Sequence, residues 1–237
     1  MNRIAVLLLS LTLIPQVLAA ETLAAIDADT NLGLPLYSAT YKASFNGMPV
    51  VATRSLSFAN DSYQLATTAK NFLGGINEAE TFKLKDGQIV VDNYHHQRSL
   101  LGSKRKEDFK TDHQSGIAIY TRKKKTRNIT LQSDYLGPMS YQVQIRRDLL
   151  ADIKNLSYRV IHRGKVKEYR FERDGEETLS TPLGNINCVR LKRIREDDER
   201  ETLFWMAPGM NYLLIKLRQK EDNEVYELAI ESIGSTQ

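Results

Sequence analysis

Two-residue turn signals interrupt a strict alternation of apolar and polar residues along most of this chain, and that alternation constrains the fold more than any other feature. Tyr37, Ala39, Tyr41, Ala43 and Phe45 occupy every second position and are followed by Asn46-Gly47. A period of two places one set of side chains on one face of a strand, and Asn-Gly is a strong hairpin signal. The pattern repeats: Met48 to Phe58 returns, Asn60-Asp61 turns the chain into Tyr63 to Thr67, and Asp86-Gly87 divides Glu78 to Lys85 from Gln88 to Tyr94. The first half therefore reads as a β meander. Between His95 and Gln132 the strands continue but are polar and basic, as expected of strands with one wet face.

A single amphipathic helix is expected over about 140–154. Tyr141, Ile145 and Leu149 recur at four-residue spacing, Val143, Leu150 and Ile153 widen the stripe, and Gly137-Pro138 marks its start. Its apolar face must pack on the sheet, covering a mouth or an edge. Strand patterns then resume through Ser157–His162, Val166–Arg173, Ile186–Ile194, Glu201–Trp205, Asn211–Lys220 and Val225–Ile233. Their turn signals stand at Arg163-Gly164, Asp174-Gly175, Pro208-Gly209 and Asp222-Asn223. The expected fold is mainly β: a large antiparallel barrel, a half-barrel or a two-sheet sandwich with one helix.

The first twenty residues combine Arg3, an apolar run from Ile4 to Ile14, Pro15 and the small residues Ala19 and Ala20. This is the pattern of a secretory signal peptide, with cleavage expected after Ala19 or Ala20. The run is shorter than the roughly 20 apolar residues of a membrane-spanning helix, and no second long apolar segment follows, so no integral membrane segment is expected after signal removal. Residues 21–35 mix small and acidic residues without a period and read as a flexible lead-in to one domain over 36–235. The only cysteine, Cys188, excludes an internal disulfide, and it does not stand where a lipid anchor would need it. These features place the chain in the bacterial periplasm or outside the cell.

No catalytic pattern stands out. There is no G-x-S-x-G, and Cys188 sits in an alternating segment with Ile186 and Arg190 on its face, as a structural thiol would. His95 and His96 are adjacent on a strand, so their rings point to opposite faces, and His113 and His162 have no carboxylate or cysteine at ligand spacing. The carboxylate runs Glu176-Glu177 and Asp197-Asp198-Glu199 border turns and read as solvated charge, with a hydrolase of unrecognised type as the alternative. No metal or cofactor is expected. The basic stretches Lys104-Arg105-Lys106 and Arg122 to Lys125 lack interleaved aromatics, and export removes nucleic acid as a partner. Solvated hairpin tips or contact with anionic lipid headgroups remain for them.

The most distinctive residues are Glu176-Glu-Thr178, Ser180-Thr181-Pro182-Leu-Gly184, Cys188-Val-Arg190-Leu-Lys-Arg193, Arg200 to Trp205, Ala207-Pro208 and Asn211-Tyr212-Leu213. Together with Tyr41 to Val50 they resemble the family of exported bacterial proteins known as domain of unknown function 3108, over roughly 37–230. The resemblance implies a predominantly β periplasmic or secreted protein and carries no catalytic residues. Thr181, Pro182, Gly184, Arg190, Trp205, Pro208 and Tyr212 are the family-motif positions. Pro182 and Gly184 suit a bend between strands, and Trp205 suits either a seal at a barrel mouth or, with Tyr212, the wall of a ligand cavity. The leading functional expectation is non-enzymatic binding of a lipid or other apolar ligand in an incompletely filled interior lined by Ala39, Ala43 and Ala52, with the helix as lid. The alternative is an interaction or assembly factor for envelope proteins, working through a sheet edge or the basic hairpins.

Overall fold

The structure is a computed structural model and describes residues 28–29, 31–45, 48–71, 74–100, 102–196, 200–221 and 224–234. The signal segment with Ala19 and Ala20, the turns Asn46-Gly47 and Asp222-Asn223, and the acidic run Asp197-Asp198-Glu199 lie outside the described residues.

A short ladder comes first, pairing β1 (Ala28–Asp29) with β2 (Leu34–Pro35). Leu32 and Leu34 are buried, so the end of the segment expected to lead in loosely is packed into the core. The first meander follows, as β3 (Tyr37–Phe45), β4 (Met48–Ala59), β5 (Ser62–Asn71), β6 (Gly74–Lys85), β7 (Gln88–Leu100), β8 (Ser103–Asp112), β9 (Ile117–Arg122) and β10 (Lys125–Thr130). After β11 (Tyr135–Leu136) and α1 (Ser140–Leu150), a second meander runs through β12 (Leu156–His162), β13 (Lys165–Thr181), β14 (Gly184–Ile194), β15 (Arg200–Ala207), β16 (Leu213–Glu221) and β17 (Glu224–Gly234).

Antiparallel pairing of β17 with β3 fuses the two meanders into one fifteen-stranded sheet whose ends are β10 and β11. Among the described strands only β11 with β12 pairs in parallel, because α1 supplies the crossover between them. Right-handed twist and bulges at Thr81/Phe82, Arg173/Glu176, Trp205/Met206 and Ile230/Ser232 curl the sheet. It curls until β11 lies against β7, and the β12–β13 turn reaches the inner face of β9. A Cβ on Gly164 in that turn would stand 2.6 Å from the Tyr120 ring. The two ends pass one another without pairing, so the architecture is the half-barrel among the expected alternatives.

Turn chemistry explains most of the hairpins. Asn60 and Asp61, Asp86 and Gly87, and Arg163 and Gly164 all have positive φ, the pair of left-handed residues that matches strand twist in a two-residue loop. Asp174-Gly175 departs from expectation: it lies inside β13, where Gly175 at φ 96° forms a bulge and pairing with β14 continues on both sides. The turn comes instead at Pro182-Leu183, followed by Gly184 at φ 101°. The helix also stops short of 154. Asp152 turns left-handed at φ 53°, which leaves Leu150 and Ile153 exposed rather than widening the apolar face. At eleven residues, α1 is not long enough to cross a membrane.

Candidate functional site

Every strand from β3 to β6 sends alternate residues into the concave face, and three of these, Arg54, Glu78 and Glu80, are charged. Arg54 shares its parity with Ala52 and Leu56, and Glu80 shares its parity with Phe82; both are buried. The sequence reading passed over both, although an ionisable residue on the inward parity of a strand was the available signal.

Glu80 receives the start of α1. Met139, which precedes the helix, offers no side-chain cap, and its backbone N–H donates to Glu80 Oε2 at 2.7 Å, while the Gly137 N–H donates to Ser140 Oγ at 2.9 Å. A carboxylate from β6 thus satisfies the first donors of a helix 59 residues away. Burial pushes the Glu80 carboxyl up to about 7, with hydrogen bonds from Ser140 and the Met139 backbone pulling the other way. Its Oε1 has no partner.

Polar and aromatic contacts then run down the helix. Tyr141 meets Tyr169 edge-on at 5.3 Å and stacks on Phe171, which stacks on Phe204 at 5.4 Å. Arg54 donates to Tyr37 Oη at 3.3 Å, Thr67 Oγ1 at 2.8 Å and Gln142 Oε1 of α1 at 2.9 Å. Arg146, on the same helix, donates through Nε to the Asn211 carbonyl at 3.1 Å and lies over the Tyr37 ring. Between Tyr37, Arg54, Gln142, Arg146, Phe204 and Leu214 remains a cavity of about 10 Å³, room for about one water. Ala39, Ala43 and Ala52 do face inward, but α1 and the aromatic side chains fill the space that they leave. The expectation of an open interior is therefore corrected for this state of the molecule.

The family-motif positions gather elsewhere. Arg190 donates to both the carbonyl (3.1 Å) and the carboxylate (2.9 Å) of Asp174, pinning the β13 bulge, and its guanidinium also meets Glu177. Trp205 pairs with Arg190 across β14 and β15 and donates Nε1–H to Glu177 Oε2 at 2.7 Å, while Lys216 lies 4.7 Å over its ring. Trp205 points away from the cavity, which is lined by its neighbours Phe204 and Met206 on the other side of the strand. Thr181 accepts from the Leu183 N–H and donates to the Gly184 carbonyl, closing the turn around Pro182. Pro208 opens a single 3-10 turn that ends in left-handed Asn211 and Tyr212. Tyr212 is half-buried against the core and does not line the cavity. Cys188 is buried, and burial beside Glu177 pushes its thiol up to about 11, away from nucleophilic use at neutral pH.

Replacing Trp205 with phenylalanine removes one partly buried hydrogen bond to a charged group and weakens a cation–π contact. The expected loss is about 1–2 kcal/mol in chemical denaturation. An unchanged midpoint would mean that Glu177 and Lys216 do not fasten the ring.

The outer face of β5–β9 carries an open groove of about 510 Å³ whose floor includes His95, with Nδ1 2.6 Å from Asp108 Oδ1. His113 likewise meets Asp92 at 2.6 Å, so the carboxylate partners that spacing along the chain did not show are supplied across the fold. Among the described residues no three His, Cys, Asp or Glu side chains cluster as metal ligands would.

A family model described as protein of unknown function (DUF3108) matches residues 39–229. No curated protein matches the chain. Among solved structures it is similar to a β-barrel-like protein of domain of unknown function DUF1849 from Brucella abortus, with 9% identity and a TM-score of 0.53. That alignment covers 84% of this chain and 96% of the other, and at such identity it speaks to the fold alone. A lipoprotein candidate from Parabacteroides distasonis aligns over 84% of this chain and 95% of its own, with 13% identity and a TM-score of 0.33.

Proposed function

Since the chain belongs to the DUF3108 family, which brings a fold but no activity with it, we propose from the geometry that it is a non-catalytic binding protein of the bacterial envelope, exported by its N-terminal segment. Its ligand is a lipid or other amphipathic molecule held against the concave face, with α1 as the lid. One observation carries this reading: α1 fills the concavity but is fastened there through polar groups. Glu80 holds Met139, Arg54 holds Gln142, and the Asn211 carbonyl holds Arg146. Water satisfies such groups once the helix swings out, which leaves the apolar contacts of Tyr141, Val143, Ile145 and Leu149 to oppose opening.

Magnitudes favour a long-chain ligand. Exposing four such side chains costs about 6–12 kcal/mol, and burying methylenes returns about 0.8 kcal/mol each, so a chain of about a dozen carbons or more offsets the undocking. Native mass spectrometry of mature protein purified gently from a periplasmic extract, with lipid analysis of its organic extract, is the direct test. A stoichiometric long-chain amphiphile is the expected result. A bare protein that also takes up no neutral hydrophobic dye would overturn the reading.

A second reading draws on the filled interior and the uncovered edge of β10. There an envelope protein would add a strand, and the same bare mass would favour it. The lysines and arginine along Lys123 to Arg127 guard that edge against indiscriminate pairing.

A further inference from the structure

Two cations face each other across the helix–sheet interface, and the carboxylate that bears on them, Glu78, favours the charge of Arg54 without a hydrogen bond or ion pair to it. Arg54 on β4 is 7% exposed and Arg146 on α1 is 5% exposed, and both line the same small cavity. Arg54 is hydrogen-bonded only to a phenol, a hydroxyl and an amide, and Arg146 to a carbonyl, so among the described residues neither meets a carboxylate. Arg146 Nη2 is buried and has no partner at all. Buried ions are ordinarily paired, because desolvation of an unpaired one is costly. Burial, with the charge of Arg54 adding to it, holds the Arg146 guanidinium below its ordinary value.

We propose that Arg146 and Arg54 hold the oxyanion headgroup of the ligand, a carboxylate or a phosphate monoester at the end of a long apolar chain. This rests on the binding reading above and names the class of amphiphile: an acid, not a neutral lipid. A guanidinium presents forked N–H donors to such a group, and Tyr37, already bonded to Arg54, borders the same space.

Displacement of Nile red, a neutral probe, by oleate and by its uncharged analogue oleamide tests this directly. Oleate is expected to displace the dye at least about tenfold more tightly than oleamide. Arg146→Gln should abolish that preference, while Arg146→Lys should retain part of it. Circular dichroism of the variants checks the fold. Equal displacement by the two compounds, or a preference that survives Arg146→Gln, would overturn the headgroup site and leave the carrier reading standing. Failure of the dye to bind and of oleate to associate would overturn both. Inorganic phosphate or acetate that raises the melting temperature while oleate displaces nothing would make this a site for a free anion and also overturn the proposal.

Discussion

Gly137→Ala should cost about 3 kcal/mol or more and lower the melting temperature by about 10 °C in a chain of this length. A Cβ at this position would fall 2.2 Å from Glu80 Oε1 and 2.4 Å from both Cδ and Oε2. The far end of an exposed side chain would move aside, but Glu80 is fully buried and its Oε2 is the acceptor for the Met139 N–H. Relief therefore requires either that the carboxylate abandon the start of α1 or that the Gly137-Pro138 segment shift and drag the helix with it. Overpacking accounts for about 1–3 kcal/mol, and an orphaned donor in the interior adds about 1–3 more. A double-mutant cycle isolates the contact. Glu80→Ala removes the clash as well as the acceptor, so Glu80→Ala with Gly137→Ala should be less destabilised than the sum of the two single changes. Strict additivity, or a Gly137→Ala protein that melts within a couple of degrees of the parent, would show that β6 does not clamp the lid as described.

Strand existence and hairpin position were legible because both are local. Parity at Tyr37 to Phe45 and the positive-φ pairs at Asn60-Asp61, Asp86-Gly87 and Arg163-Gly164 need only their own neighbourhoods. Asp174-Gly175 has the same dipeptide chemistry but makes a bulge, since a left-handed glycine serves either purpose and the choice depends on whether β14 pairs on both sides. Pairing of β3 with β17 leaves no local trace, and without it barrel, half-barrel and sandwich were indistinguishable. The helix was legible by period but not its end, because Leu150 and Ile153 satisfy the apolar stripe while Asp152 breaks the backbone between them. Of the interior site, parity gave Arg54 and Glu80 an inward direction, but that the first would face a second arginine from α1 depends on where the helix docks. The family motif drew attention to Trp205 and Arg190, which organise the β13–β15 face through Glu177 rather than the concavity.

Between about pH 4.5 and 6.5 the stability of the protein should vary little, and single substitutions should expose two opposing slopes beneath that flatness. The Glu80 carboxyl is raised from 4.5 to about 7, principally by burial, so the native state binds more protons than the unfolded chain across that interval. Its contribution is fully present below pH 4.5 and is lost as pH rises to about 7. His162 is the reverse case: burial first, then Arg163, Lys167, Arg193 and Arg195, lower its imidazole from 6.5 to about 4. Here the unfolded chain binds more protons, so its contribution is present above pH 6.5 and is lost as pH falls to about 4. Each shift corresponds to about 3 kcal/mol, and the windows overlap almost completely. Asp112 and Asp152, whose carboxyls are lowered by their hydrogen bonds, titrate below this range and leave the balance untouched. His162→Gln should therefore yield a protein that loses about 3 kcal/mol between about pH 4.5 and 7, while Glu80→Gln should yield one that gains a similar amount as pH rises from about 4 to 6.5. Urea denaturation across that range reads both slopes directly. Parallel slopes in the two variants would mean that at least one of the two groups is solvated in the folded protein. A steep fall confined to His162→Gln would identify Glu80 as the group through which rising pH loosens the start of the lid.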